Sequence, residues 1–297
     1  MSGSGLENRA SWTLPTYIVE PGRLALDRFV LAGDEGRHAS RAARARPGEL
    51  VRLIDGEGTE AAARVVGSGA GLELEIVERR EHSRTEGVEL VVGQALLKGR
   101  DFDEPVRRLA ELGAALVVPL LTERVVPRVD PSALAERSDR WRAVAAAAVK
   151  QSRGVFLTAI GEPMPMEDFV ETTSGAAARF VAWEEGGVDV RRVLGDVGPP
   201  DSVACVIGPE GGLSAGEVAL LAEAGLSFDL QTPYWHLPEA AVLARDHRSA
   251  LIILNHTGLP ADRTARGLAG WREAMEVLAA ERNVFVKISG LGVPGEA

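Results

Sequence analysis

Residues 203–225 read VACVIGPEGGLSAGEVALLAEAG, and this stretch decides the fold. Val203 to Ile207 is an unbroken apolar run of strand length, the pattern of a strand covered on both faces in a parallel sheet. Gly208, Gly211 and Gly212 then end the run. Ser214 is placed to cap a following helix, and Glu217, three residues on, completes a capping box. Glycines between a strand and a helix N-terminus let main-chain amides approach a ligand closely. The spacing is neither the G-x-G-x-x-G dinucleotide fingerprint nor a P-loop, since no Gly-Lys-Ser/Thr follows. Read by itself, such a turn is structural or ligand-binding.

Working upstream, residues 88–225 keep a strand–helix–strand rhythm. VELVVGQAL (88–96), ALVVPLL (115–121) and ARFVAW (178–183) are apolar runs of strand length. DEPVRRLAELG (103–113) and SALAERSDRWRAVAAAAVKQS (132–152) carry apolar residues at helical spacing, with Gly113 placed to end the first. The alternation predicts a parallel sheet with helices on both faces. From Tyr17 to Arg84 the pattern is instead short β-like runs broken by glycine: YIVE, RFVLA, LVRLIDGEG, TEAAARVVGSG and LELEIVERRE. Leu72, Leu74 and Ile76 alternate with Glu73 and Glu75 as in a half-buried strand, which predicts a small β-barrel with one short basic helix.

The 297 residues suit two domains, and 45% hydrophobic with 26% charged residues suits a soluble globular chain with a proper core. No apolar run approaches the ~18–20 residues that span a bilayer, so no membrane is expected. MSGSGLENRASWTLPT (1–16) lacks the basic and apolar regions of a signal peptide and reads as a loose tail. A single cysteine, Cys205, excludes a disulfide framework and a thiolate cluster; its apolar flanks suit an inert buried thiol better than a reactive one, and the expected compartment is the cytoplasm. The net charge of −10 opposes indiscriminate nucleic-acid binding. Yet Arg37, Arg41, Arg44, Arg46 and Arg52 stand against one acid, Glu49, and the first three share a helix face at i, i+4, i+7. That face is either solvated or a phosphate-contacting ridge.

The string Ile-Gly-Pro-Glu-Gly-Gly-Leu-Ser (207–214) resembles the cofactor loop of the SPOUT methyltransferases, whose sheet carries a C-terminal trefoil knot. GQALLKGRDFDEPVRRLAELGAALVVPLLTERVVPR (93–128), RWRAVAAAAVKQSRG (140–154) and the segment HASRAARARPGELVRLIDGEG with His38 resemble the RsmE family within it. That family methylates uracil N3 of a uridine in small-subunit ribosomal RNA, using S-adenosylmethionine. The resemblance implies a PUA-like barrel that helps hold RNA and a homodimer formed through the knotted domains. It also implies residue roles. Ile207, Gly208, Pro209, Glu210, Gly211 and Gly212 would line the cofactor, with Trp183 and Glu184 near the same pocket. Gln151 and Arg153 match the family's Gln-Ser-x-Arg stretch near the target base, where Arg153 would favour the developing uracil anion. Lys98, Arg100, Arg124 and Arg128 would face phosphates, joining the Arg37–Arg41–Arg44 ridge. Lys150 stands where the family commonly has Glu, and no general base is identified.

After Gly225 the resemblance stops: the expected Leu-Gly turn and Ile-Leu-Arg-x-Glu-Thr-Ala stretch, which threads the knot and walls the cofactor pocket, is absent. FDLQ, LPEAAVLARDH, ALIILNH, GLAGWREAMEVLAAER and NVFVKISG continue a strand–helix alternation. ILNHTGLPADR and NVFVKISGLG are similar to late elements of the metal-dependent amidohydrolases, a TIM-barrel family. A His-x-His pair appears nowhere among His38, His82, His236, His247 and His256, so no metal is expected and His256 reads as structural. The organisation expected is a tail (1–16), a PUA-like barrel (17–84), a SPOUT domain (85–226) and an amidohydrolase-like α/β segment (227–297) that replaces the knot end. The function expected is methylation of ribosomal RNA. The alternatives are an RNA-binding relic whose cofactor pocket lacks a wall and, behind it, a hydrolase fragment.

Overall fold

The computed structural model describes residues 14–33, 35–37, 46–68, 71–84, 87–97, 101–125, 131–182, 200–230, 232–248, 250–260 and 262–286. They fall into two compact units: one from residues within 1–87, 103–115 and 139–159, the other from residues within 88–102, 116–138 and 160–297. No helix among the described residues is long and apolar enough to cross a membrane.

The first unit is built on a curled five-stranded sheet of order β1-β3-β4-β5-β2. Its strands are β1 (Thr16–Ile18), β2 (Arg28–Leu31), β3 (Leu50–Ile54), β4 (Thr59–Ser68) and β5 (Leu72–Glu81). The β4–β5 ladder shifts register between Ala62 and Ala63 and again between Val65 and Gly67. Such irregularities bend a strand and tighten its twist, which curls the sheet onto one apolar face. Tyr17, Leu24, Leu53, Leu72 and Leu74 fill that face, and Glu73 points outward as the alternation predicts. The expected basic helix is helical at residues 35–37, where Arg37 is exposed; Arg41 and Arg44 lie outside the described residues.

This unit also contains α1 (Asp103–Glu111), which ends at Gly113 in the left-handed conformation expected there (φ 82°), and the end of α2 (Pro131–Ser152). A buried ion pair ties that helix end to the sheet. Arg52 Nε donates to Glu60 Oε2 at 2.7 Å, and Arg52 Nη2 donates to the carbonyls of Arg153 and Gly154. His82 meets the other Glu60 oxygen at 2.9 Å. Burial alone would raise the Glu60 carboxyl, but its hydrogen bonds to His82 and Arg52, with their charges, hold it below the ordinary range.

The second unit carries a nine-stranded sheet of order β14-β13-β12-β10-β11-β6-β7-β8, with β9 on β7. Its strands are β6 (Glu89–Ala95), β7 (Leu116–Leu121), the two-residue β8 (Ala159–Ile160) and β9 (Met164–Pro165), β10 (Ala178–Ala182), β11 (Ser202–Ile207), β12 (Ser227–Leu230), β13 (Ile252–Leu254) and β14 (Val284–Val286). The pairings from β14 through to β7 are parallel, as the apolar runs predict. Helices α3 (Met166–Thr172), α4 (Ala215–Glu223), α5 (Leu237–Asp246) and α6 (Ala265–Ala279) complete the unit. One core runs through it, from Val118, Leu120 and Phe169 through Val206, Leu221 and Phe228 to Leu237, Ile252, Leu254 and Leu278. The segment after Gly225 therefore packs into the sheet's own core and lengthens the sheet by β12, β13 and β14. Residues 183–199, between β10 and β11, lie outside the described residues.

Candidate functional site

β11 lies between β10 and β6, with Ile207 level with Ala182 on one side and Gln94 on the other. From β6 the chain moves to β7 on one flank; from β11 it moves to β12 on the other. Where neighbouring parallel strands send their connections in opposite directions, a crevice opens outside their carboxyl ends, and ligands of α/β sheets bind there. The glycine turn 208–212 stands at that place.

Its shape follows from its residues. Gly212 N–H donates to Pro209 O at 2.9 Å, and Gly212 has φ 70°, a conformation that glycine adopts without steric cost. A Cβ at Gly208 would come within 3.3 Å of Leu213 Cγ, so that glycine permits the buried Leu213 to fold beneath the turn. Around Gly211 the nearest atom to an added Cβ is Arg124 Cδ at 3.9 Å, which leaves room beside the backbone. Glu210 and Gly211 are exposed, whereas Pro209 and Gly212 are buried. The predicted capping box is present: Glu217 N–H donates to Ser214 Oγ at 3.2 Å, and Ser214 N–H donates to Glu217 Oε2 at 2.7 Å. A short backbone turn rich in glycine, opening onto a helix N-terminus, is chemically a cradle for an anionic or polar ligand.

The other sequence-predicted residues are placed differently. Arg124 is exposed in the second unit and its Nη1 donates to Gly211 O, so it sits on the glycine turn itself. Gln151 and Arg153 belong to the first unit. Gln151 is exposed at the end of α2. Arg153 follows it in a left-handed conformation, φ 66°, which side-chain-bearing residues rarely adopt. Its Nη1 donates to Leu14 O at 2.8 Å and to Thr16 Oγ1 at 3.1 Å, which binds the start of β1. Burial and the neighbouring Arg52 charge lower its pKa. Lys150, the departure from the family pattern, pairs with Glu35 at 2.7 Å. Trp183, Glu184, Lys98, Arg100 and Arg128 lie outside the described residues. In the first unit a cleft of about 310 Å³, which no sequence motif announces, is lined by Ile18, Arg23, Phe29, Leu31 and Glu35 among others.

Known proteins match both parts of this architecture. The family described as the RNA methyltransferase domain matches residues 84–229, and the RNA methyltransferase PUA domain matches residues 31–77. Neither match extends past residue 229, which agrees with the end of the resemblance near 226. The ribosomal RNA small subunit methyltransferase E of Mycobacterium bovis is 32% identical over 200 residues, covering 66% of this chain and 76% of that protein. The crystal structure of a ribosomal RNA small subunit methyltransferase E from Neisseria gonorrhoeae, bound to S-adenosyl methionine, superposes with TM-score 0.62 at 23% identity, covering 73% of this chain and 88% of that one. The uncharacterized protein y4mH of Sinorhizobium fredii is 52% identical over 73 residues, a quarter of this chain (25%) and 24% of y4mH.

Proposed function

The chain belongs to the ribosomal RNA small subunit methyltransferase E family of RNA methyltransferases, and from that premise we propose that it methylates N3 of a uracil in small-subunit ribosomal RNA with S-adenosylmethionine as donor. The observation that carries the reading is the glycine turn at the carboxyl end of β11, at the switch point of the sheet.

The donor fits what the turn offers: main-chain groups of Gly208, Gly211 and Gly212 that carry no side chain, with open space beside Gly211. The sulfonium supplies an already activated methyl group, so the protein's task is alignment and management of one proton. Methyl transfer forms the N3–C bond and breaks the S–C bond; S-adenosylhomocysteine leaves and the N3 proton is lost to solvent or a base. Ile207 to Gly212, with Trp183 and Glu184, hold the donor in this reading. Arg153, with Gln151 beside it, favours the uracil oxygens as negative charge develops. Arg37, Arg41, Arg44, Lys98, Arg100 and Arg128 contact phosphates. The target is an unpaired uridine, whose Watson–Crick edge is open. The protein acts in the cytoplasm, paired with a second copy of itself.

Incubating unmodified small-subunit ribosomal RNA with the protein and methyl-labelled donor tests this. The expected product is 3-methyluridine at one position, identified by mass spectrometry after digestion; label on another atom would overturn the N3 assignment. A non-catalytic RNA-binding chain is the second reading, favoured by the family match ending at residue 229. Calorimetric titration separates the two, since the absence of heat at millimolar donor leaves only RNA binding.

A further inference from the structure

Glu217 does more than close its capping box. Its side chain is buried, and both carboxylate oxygens are used: Oε2 accepts from Ser214 N–H at 2.7 Å, and Oε1 accepts from Glu123 N–H at 2.8 Å. The cap needs only the first bond. The second reaches 94 residues back along the chain, to the short turn Glu123–Val125 that follows β7. The next residue in that turn, Arg124, donates through Nη1 to Gly211 O. One three-residue turn therefore holds the glycine loop at two places, directly at the Gly211 carbonyl and, through the Glu217 carboxylate, at the Ser214 amide.

We infer that Glu217 and Arg124 are positioning residues that hold the loop 208–214 in its ligand-receiving shape, with Arg124 acting on the loop and not on RNA phosphate. The inference rests on the reading of that loop as the donor site. A loop with three glycines has many conformations to lose, so it binds well only when other groups have already ordered it. A buried carboxylate is retained where it is fully hydrogen-bonded, and here both of its partners are main-chain amides of the two segments to be joined. A cation bonded to the Gly211 carbonyl turns that oxygen toward itself, which fixes the orientation of the flanking peptide planes.

Two measurements on the full chain test this, with Arg124→Ala, Arg124→Lys and Glu217→Gln. The first is amide hydrogen exchange at Gly212 and Ser214 in the ligand-free protein, expected to quicken about tenfold in Arg124→Ala and Glu217→Gln, a loss typical of a bond to a charged group. Unchanged exchange in both variants would overturn the clamp. The second is S-adenosylmethionine affinity, expected to fall about tenfold in Arg124→Ala at an unchanged melting temperature, with partial recovery in Arg124→Lys. Unchanged donor affinity together with an RNA salt slope reduced by about one would return Arg124 to a phosphate contact. If the wild-type protein takes up no donor while exchange still quickens in the variants, the clamp stands and the donor reading falls. Arg124 is exposed, so its variants fold even if Glu217→Gln does not.

Discussion

The turn after β11 and the segment after β12 leave the same edge of one parallel sheet, two strand positions apart, and are built in opposite ways. The first is backbone: three glycines, a capped helix and main-chain groups turned to an open space. The second is side chain. Thr232 and Leu237 are buried, Tyr234 lies over Gly270, and Trp271 Nε1 of α6 donates to Thr257 O in the short turn after β13. Only the first lies within the family match. Both contribute to one core, so completeness of packing does not mark which segment does chemistry. A segment outside the family match can join a sheet if its apolar faces fit, because burial is non-directional.

The comparison is sharpened most by cutting into the tail's core. Leu237 has no exposed surface, so Leu237→Ala is expected to cost about 2–5 kcal/mol of stability, measured by denaturant unfolding. A loss below about 1 kcal/mol would mean that the tail is not part of the cooperative unit. Next, Gly211→Val fills the open space beside the loop. Donor affinity is expected to fall about a hundredfold (about 2.7 kcal/mol) while the melting temperature holds, since no neighbour lies closer than 3.9 Å. Normal donor binding by that variant would remove the loop from the site. Ser214→Ala takes away the cap and should cost about 1 kcal/mol in urea unfolding, weakening donor binding as the helix start frays. The smallest effect is expected at Val242, half exposed on α5: Val242→Ser should change stability by no more than about 0.5 kcal/mol and leave donor affinity alone. A large effect there would show that this face of the tail is covered in solution.

Much of this was legible in the residues. The apolar runs at 88–96, 115–121, 178–183 and 203–207 are β6, β7, β10 and β11, and the cap at Ser214 with Glu217 at N3 forms as read. Both are local signals, set by period and by hydrogen bonds within one turn. The short α3 and the two-residue strands β8 and β9 escaped, since so few residues carry no period. The bond of Arg124 to Gly211 O was hidden for a different reason: a basic residue after a strand looks the same whether it meets a phosphate or a carbonyl. Arg153 carries a family role in its sequence context, but its bonds to Leu14 and Thr16 are visible only once β1 is folded beside it. Nor did chain order announce that residues 103–115 and 139–159 would gather with the N-terminal sheet.

The sequence alone determined the alternation of strands and helices, the glycine turn with its cap, and the place near residue 226 where the family pattern ends. Each depends on neighbours within a few positions, where periodicity and backbone preference act directly. Tertiary structure alone decided the strand order, the entry of β13 and β14 into the sheet, and the second bond of Glu217 to Glu123. These join residues far apart in the chain, and such partners are selected by which surfaces and amides remain to be satisfied once the whole core has closed.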